Sequence, residues 1–222
     1  MNMNSAAKIE IGKQKPEMLK ETWPGQYDLF SHFEFLSGIP QVLFVVTTLK
    51  ANGKPNVCLH SWSSFYGDVG GYYAVMGGLG MYTHTYQNIM REKEFCINFI
   101  SPQYYEGCLR TISGNSEDAD EFEVGGFTIE PSRTVKCPRI KEAFLSFECT
   151  LHSATDLSGK GICAMVVGQV QLAAVEENNH ELSKICSQNG FMFNIHSPKS
   201  ALTGEGQTTA VAILNPVRVI SE

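Results

Sequence analysis

The sequence predicts a mainly β protein: an antiparallel barrel, closed or partly split, with a few helices inserted between its strands. Several short runs are apolar or alternating over strand length, and the first two flank an Asn52-Gly53 turn signal. Tight hairpins join the early strands and helical patterns interrupt only the later ones, so regular parallel βαβ alternation is not expected. With 222 residues and no internal repeat, the chain allows one large domain, or one domain with an appendage.

The strands follow from apolar runs bounded by turn residues. Residues 41–49 form a near-continuous β-branched run, which indicates a buried strand, and residues 163–175 alternate around Gln169 and Gln171. Strands are predicted at residues 41–49, 56–62, 70–77, 94–100, 145–151 and 163–175.

Four helices are predicted from apolar spacing and end signals. The first covers residues 27–36, and the last covers residues 178–190, with Asn178 or Asn179 as its cap. The second begins near Thr83 and Thr85, and the third begins at Ser101-Pro102. The apolar faces expected for these two middle helices are Tyr82, Tyr86, Ile89 and Met90 for the second, and Tyr105, Cys108, Leu109 and Ile112 for the third.

Composition narrows the class of protein. Hydrophobic residues make up 43% of the chain, and the net charge is −6 without a cluster of lysines and arginines. We therefore expect no binding to nucleic acid and no membrane-surface role. The beginning of the chain has no apolar signal core, no run approaches membrane-spanning length, and the seven cysteines form no Cys-x-x-Cys pair. These features predict a cytoplasmic location and no metal site.

Two hydroxyl-rich segments are candidates for ligand binding. Residues 60–68 gather three serines around Trp62 and Phe65, a composition that suits a planar ring with a polar tail; a polar loop after a strand is the alternative. Thr83 and Thr85 stand where a helix begins, and the free N–H groups of a first helical turn favour anions. A simple helix cap is the alternative for the threonines. Because the segments lie one strand apart, we expect them to face one pocket.

The sequence resembles the flavin reductase-like, FMN-binding split-barrel proteins, which include the flavoredoxins. The similarity covers residues 38–176, which we take as the core of a single domain over residues 1–222, with residues 1–20 as a flexible N-terminal extension. Three motifs carry the resemblance. The first is a strand–turn–strand ending at Asn56, followed by a Ser/Trp segment, and the second is Thr85-x-x-Asn88-Ile89 followed by Phe95-x-x-Asn98. The third is Asp120-x-Phe122, which leads to Pro138-x-Ile140 and then to Glu148-Cys149.

The resemblance implies a Greek-key split barrel, a homodimer, and FMN held between subunits. The residues that it implies for FMN binding are Ser61, Trp62, Ser63, Ser64, Thr83, His84, Thr85 and Asn88. No catalytic acid or base is implied. His196, in a segment near the C-terminus, is a candidate to cover the nicotinamide side, with an ordinary surface histidine as the alternative.

Two functional hypotheses follow from the resemblance. The first is an oxidoreductase in which reduced nicotinamide nucleotide, NADH or NADPH, reduces bound FMN and an unidentified acceptor receives the electrons. The second is a non-enzymatic FMN electron carrier, and a barrel that binds a ligand other than a flavin is a third alternative. Because family membership does not decide the reaction, reduction of the bound flavin by NADH or NADPH would discriminate the two hypotheses.

Overall fold

The structure is a computed structural model, and it describes residues 7–217. Strands make up most of its regular structure, and short helices are interspersed among them. The elements are α1 (Gln26–Leu29), α2 (His32–Ser37), β1 (Gln41–Leu49), β2 (Pro55–His60), β3 (Ser63–Asp68), β4 (Gly71–Gly80), α3 (His84–Glu92), β5 (Glu94–Phe99), a 3₁₀ turn (Pro102–Tyr104), α4 (Tyr105–Ser113), α5 (Glu121–Gly125), β6 (Ile129–Glu130), β7 (Arg139–Ile140), β8 (Leu145–Thr155), β9 (Cys163–Val175), α6 (Leu182–Ile185), β10 (Met192–Ile195) and β11 (Ala210–Ile213).

One antiparallel sheet dominates the fold. Its strand order is β11-β10-β1-β5-β8-β9-β4-β3, and β2 pairs with β1 beside this path. Strand β1 organises the sheet because its first residues pair with β10, its later residues pair with β5, and Phe44–Leu49 pair with β2. The path is open rather than closed, which confirms the predicted mainly β, antiparallel and split architecture.

Both faces of β1 are buried, which explains its continuous apolar sequence. Phe44 and Val46 point into a cluster with residues of β4, β5, β8 and β9, including Met76. Leu43 and Val45 point the other way, into a second cluster that contains Phe122 of α5 and lies against α4. The helices after β5 therefore cover the outer face of β1 and β2.

The described residues divide into two compact units: residues 7–40 with 195–210, and residues 41–194 with 211–217. In the first unit, two short helices replace the single helix predicted over residues 27–36. Phe30 adopts extended backbone, and the Ser31 side chain accepts a hydrogen bond from the Phe33 N–H to start α2. The single domain and the flexible extension remain predictions, and residues 1–6 of that extension lie outside the described residues.

Two further local features differ from the sequence analysis. Residues 63–68, for which no strand was predicted and a polar loop was the alternative to a binding segment, form β3, because Ser63 to Asp68 pair with β4. The helix predicted over residues 178–190 is only α6, which follows Glu181 and contains no buried residue. Within the part of the chain that the structure describes, no helix is long and apolar enough to cross a membrane.

The predicted inner face of α4 was also partly wrong. Cys108 is buried as expected, but Ile112 is 55% exposed, and Gly107 and Thr111 are buried instead. The cause is a close approach of α4 to α5: a side chain at Gly107 would stand 2.6 Å from the Gly125 carbonyl oxygen. The small residues therefore face inward, and the large apolar ones turn outward.

Candidate functional site

The connection between β2 and β3 holds the first predicted segment. Ser61 is buried, and Trp62 adopts a left-handed backbone with φ of 58°, which side-chain-bearing residues rarely do. The Trp62 carbonyl oxygen accepts a hydrogen bond of 2.7 Å from the Gly77 N–H of β4. This bond holds the tight turn in place, so the side chains that flank it are fixed against the sheet.

A small cavity of about 140 Å³ opens beside this turn. Its lining is mixed, since Ser61 and Asn194 contribute polar groups and the other side chains are largely apolar or aromatic. Asn194 of β10 donates a long hydrogen bond of 3.5 Å to Ser61 Oγ. The lining residues are Leu43, Leu59, His60, Ser61, Trp62, Tyr105 and Asn194.

Two buried polar atoms near the cavity have no hydrogen-bond partner among the described residues: His60 Nε2 and Ser63 Oγ. Burial lowers the pKa of His60 to about 4, although a hydrogen bond with the backbone of Gly77 opposes the shift. His60 is therefore neutral at pH 7, where it presents one nitrogen without a partner. Because an unsatisfied buried polar atom is costly, such atoms mark places where a ligand or water completes the structure.

Thr83 begins the second predicted segment and caps α3. Its Oγ1 accepts a hydrogen bond of 3.3 Å from the Tyr86 N–H and donates one of 2.7 Å to the Gly80 carbonyl. The helix-cap alternative thus describes what this hydroxyl does. The capped helix still directs its first-turn N–H groups and the positive end of its dipole outward from its N-terminus.

Thr85 and Asn88 are buried and bind the adjacent hairpin. Thr85 Oγ1 accepts a hydrogen bond of 3.0 Å from Asn56 of β2, and Asn88 donates one of 3.0 Å to Thr48 of β1. These polar residues take the inner face of α3 together with Ile89. The predicted apolar face was therefore wrong in part: Tyr82 precedes the helix and is 67% exposed.

His84 and Ser64 lie toward solvent. His84 Nε2 lies 3.2 Å from Glu117 Oε2. Ser64 is exposed, whereas Ser63, its neighbour on β3, points to the opposite face as alternation along a strand requires. The eight predicted residues thus separate into inward-facing and outward-facing groups.

The two predicted segments each hydrogen-bond to the end of β4, at different residues. Gly77 donates to the Trp62 carbonyl, and Gly80 accepts from Thr83. The pairing of β4 with β9 shifts register between Met76 and Leu79, which marks a bulge at this place. Thr83 and Thr85 are not among the residues that line the cavity.

The basic side chains of α3 and α4 do not contact this site. Arg91 and Lys93 stand at the far end of α3, and Arg91 donates to the Leu49 carbonyl. Arg110 donates to the carbonyls of Val124 and Gly125. Any anion at the start of α3 would consequently depend on N–H groups and the helix dipole.

His196 belongs to the first unit. Its Nδ1 lies 2.7 Å from Glu34 Oε1, and its ring packs against those of Phe30 and Phe35, with centroid distances of 4.9 and 4.8 Å. The histidine is therefore not an isolated surface side chain within that unit. Its role on the nicotinamide side remains a prediction.

Of the seven lining residues the sequence predicted Ser61 and Trp62, and the missed residues with polar groups are His60, Tyr105 and Asn194. His60 stood inside the segment singled out for its serines, and its place before Ser61 was the available signal. Asn194 reaches the site because it pairs with Gln41 of β1, far away in sequence. No pattern in the local sequence predicts such a pairing.

Comparison with known proteins supports the split-barrel fold. Nitrilotriacetate monooxygenase component B from Bacillus cereus is similar with a TM-score of 0.74 at 18% identity, over 97% of this chain and 100% of that chain. A Shewanella frigidimarina NCIMB 400 protein described as a flavin reductase with a split barrel domain is similar with a TM-score of 0.69 at 17% identity, over 91% of this chain and 99% of that chain. Flavoredoxin from Methanosarcina acetivorans is similar with a TM-score of 0.66 at 16% identity, over 97% of this chain and 96% of that chain.

Among curated sequences, an uncharacterised protein from Aquifex aeolicus (strain VF5) is 37% identical over 93 residues, which are 42% of this chain. The match spans 46% of that relative, about half its length. The match to a protein-family model is broader. Residues 36–192 match the model of the flavin reductase like domain, and the chain therefore belongs to the flavin reductase-like family.

Proposed function

We propose that this protein is an oxidoreductase that binds FMN, takes electrons from a reduced nicotinamide nucleotide and passes them to a separate acceptor. The observation that carries the proposal is the pair of unpartnered buried atoms, His60 Nε2 and Ser63 Oγ, which flank a turn hydrogen-bonded to β4, the strand that leads to the N-terminus of α3. Family membership makes a flavin the natural ligand for such a site.

The ring side of the proposed site is formed by residues 60–64. An isoalloxazine ring is flat and neutral, and its edge carries both hydrogen-bond donors and acceptors. A neutral His60 and the Ser63 hydroxyl can satisfy such an edge, and Ser61 and Trp62 flank it. Satisfying an unpaired buried polar atom recovers ~1–3 kcal/mol, which would favour the bound state.

The phosphate side of the proposed site is the start of α3. The first-turn N–H groups and the helix dipole favour an anion there. The hydroxyls of Thr83 and Thr85 already have hydrogen-bond partners in the chain. A phosphate would therefore either accept from the Thr83 hydroxyl in place of the Gly80 carbonyl, or bind while the hydroxyl still caps the helix. His84 lies at the same end of the helix, while Asn88 and Thr85 hold the helix against the hairpin.

A bound flavin would supply the redox chemistry, since it accepts hydride from a reduced nicotinamide and releases electrons to an acceptor. The chain itself would bind and orient the ring. His196 is proposed to contact the nicotinamide side, and we propose a cytoplasmic homodimer. We propose NADH rather than NADPH as the electron donor, because no cluster of lysines and arginines in the sequence suits the 2′-phosphate of NADPH.

A non-enzymatic electron carrier is the second candidate function. The cavity of about 140 Å³ is well below the ~300–1,000 Å³ of ordinary small-molecule pockets. A flavin is larger than this cavity, so a flavin whose ring edge reaches residues 60–64 would lie mostly outside it. A carrier needs only an exposed flavin edge and a redox partner.

Titration of the purified protein with FMN, FAD and riboflavin, followed by flavin fluorescence, tests the cofactor. We expect FMN to bind most tightly, because riboflavin lacks the phosphate that the start of α3 would hold. Ser63→Ala should weaken FMN binding by ~2–13-fold, the loss of one neutral hydrogen bond. Ser64→Ala should have a smaller effect, since Ser64 is exposed. Absence of binding by all three flavins would contradict the proposal.

Anaerobic stopped-flow mixing of the FMN-loaded protein with NADH or NADPH then separates the two functions. Rapid loss of flavin absorbance with either nucleotide supports the oxidoreductase, and slower loss in His196→Ala supports the assigned histidine. An unchanged rate in that variant would remove His196 from the site. Reduction by dithionite but by neither nucleotide would favour the electron carrier.

A further inference from the structure

Two buried thiols face each other on the outer side of β5. Cys96 Sγ lies 3.6 Å from Cys137 Sγ, and both residues are at most 1% exposed. Val135 completes this small cluster, and Leu49 packs against it. Cys96 belongs to β5, in the middle of the sheet, whereas Cys137 belongs to the segment that joins β6 to β7.

The segment that carries Cys137 is fastened to the sheet on both sides of the thiol. The Lys136 N–H donates to Glu94 of β5, and the Pro138 carbonyl accepts from Thr47 Oγ1 of β1 at 2.5 Å. The Cys137 carbonyl accepts a hydrogen bond of 2.6 Å from Ser132 Oγ. The Cys96 thiol also donates to the Cys137 carbonyl at 3.5 Å, so backbone and side-chain contacts together hold the two sulfurs near each other.

A buried carboxylate anchors the start of the same segment. Glu148 of β8 accepts hydrogen bonds from the N–H groups of Arg133 and Thr134 and from the Thr134 hydroxyl, and Arg139 lies 3.1 Å away. Because Glu148 pairs directly with Cys96 across β8 and β5, this anchor and the thiol pair share one place in the sheet.

We propose that Cys96 and Cys137 are an oxidation site, at which a two-electron oxidant such as a peroxide or a diazenedicarboxamide produces an intramolecular disulfide. Each thiol loses its hydrogen, one S–S bond forms, and the oxidant takes up two electrons and two protons. The sulfurs must approach from 3.6 Å to the ~2.05 Å of a disulfide, a change within reach of side-chain rotation.

Two alternatives for the pair are less favourable. A zinc site normally takes four ligands, and no group of three or more metal-ligating side chains occurs in residues 7–217. Rapid thiol chemistry is also disfavoured, because the hydrogen bond with Cys96 and burial raise the pKa of Cys137. Oxidation should therefore be slow at neutral pH and accelerate at alkaline pH.

The disulfide would stabilise a defined part of the fold. The chain between the two cysteines contains α4, α5 and β6, so the bond would close a loop that includes the helical cover of β1 and β2. For a loop of this length the restriction of the unfolded chain corresponds to a rise in Tm of roughly 5–15 °C. This inference does not depend on flavin binding.

The full-length protein is treated with diamide (a diazenedicarboxamide) and with hydrogen peroxide, and its remaining thiols are alkylated in denaturant before digestion and mass spectrometry. We expect a cross-linked peptide pair joining Cys96 to Cys137, a rise in Tm, and reversal of both by dithiothreitol. Cys96→Ala and Cys137→Ala should each abolish the cross-link and the rise. Cys149→Ala, on the opposite face of the neighbouring strand, should retain both.

All seven cysteines are free, and Cys163 and Cys186 are partly exposed. They serve as internal indicators that the oxidant has reacted. Oxidation of either residue without a Cys96–Cys137 peptide, over the full alkaline range in which the protein remains folded, would overturn the proposal. A dominant pairing of Cys96 with Cys149 would overturn it as well.

Discussion

His60 is a buried histidine whose neutral form the fold favours. Burial lowers its pKa from 6.5 to about 4. Above pH 6.5 both the folded and the unfolded chain hold it neutral. Between pH 6.5 and 4 the unfolded chain binds a proton that the folded chain does not, so the free energy of unfolding falls as pH falls. The loss attributable to His60 reaches roughly 3 kcal/mol at pH 4.

We predict that His60→Phe removes this part of the pH dependence. Urea unfolding of the wild type and the variant, measured from pH 7 down to pH 4, gives the difference directly, and the contribution of the carboxylates cancels. His152→Phe is the matched control, because His152 is exposed on β8. Parallel curves for the wild type and His60→Phe would contradict the assignment.

Thr85 has a structural role in the fold and a proposed role in binding FMN. Its hydroxyl accepts from Asn56 in the buried interior, so Thr85→Ala leaves the Asn56 amide without that partner. We predict a loss of ~1–3 kcal/mol in the free energy of unfolding, and a smaller loss for Thr85→Ser, which retains the hydroxyl. Chemical denaturation measures both variants.

FMN affinity, measured on the folded Thr85 variants, tests the binding role separately. If the hydroxyl also contacts phosphate, Thr85→Ala should bind FMN more weakly than Thr85→Ser. Unchanged stability in Thr85→Ala would show that the Asn56 bond contributes nothing. Unchanged FMN affinity would leave Thr85 with the structural role alone.

At the scale of elements, α5 is fixed by a buried ion pair. Lys50 Nζ lies 2.8 Å from Glu121 Oε1, both side chains are at most 1% exposed, and Glu121 also accepts from the Val57 N–H. Asp120 caps the helix by accepting from the N–H groups of Phe122 and Glu123. The pair thus joins α5 to the end of β1 and the start of β2.

We predict that Glu121→Gln lowers the free energy of unfolding by ~3–5 kcal/mol, because it leaves the Lys50 ammonium buried without its counter-charge. Glu123→Gln is the matched control, since Glu123 lies on the same short helix and is exposed. Guanidinium unfolding of both variants gives the comparison. Equal stabilities would show that Lys50 is satisfied by the carbonyls of Ser116 and Ala119 alone.

The strands that the sequence predicts well are those whose signal is local. Strands β1 and β9 have the predicted bounds because long apolar or alternating runs end at turn residues, and Asn52-Gly53 lies in the turn between β1 and β2. The same reasoning placed Ser61 and Trp62 beside a cavity, since serines and an aromatic ring follow a strand. In these cases the local sequence was sufficient to predict the structure.

The elements that the sequence does not predict depend on distant partners. Strand β3 is polar and mostly exposed, so only its pairing with β4 makes it a strand. Strand β10 exists because Met192–Asn194 pair with the first residues of β1. The orientation of α4 depends on its contact with Gly125, and Asn194 enters the cavity through the β10 pairing. Periodicity within one segment cannot carry this information.

At the scale of the whole molecule, the β3–β4 hairpin exposes a surface that suits self-association. Tyr66, Val69 and Tyr72 are 58%, 110% and 41% exposed, and β3 ends the path of the sheet. By contrast, Tyr73 of the same hairpin is half-buried, and Tyr104 and Tyr105 pack against the outer core cluster. Tyr66 and Tyr72 thus place two exposed aromatic side chains on this one hairpin, beside the exposed Val69.

We predict that the protein is a homodimer and that Tyr66→Glu combined with Tyr72→Glu shifts it toward monomer, since aromatic residues are enriched in interfaces and charged ones are depleted at their cores. An exposed edge strand is also a template for pairing with another chain, which favours this hairpin. Light scattering over a concentration series measures the shift. Leu157→Lys, at a 75% exposed position in the β8–β9 turn, is the control and should remain dimeric. A monomeric wild type would contradict the predicted dimer. If the variant with both glutamates remains dimeric, the interface lies on another surface.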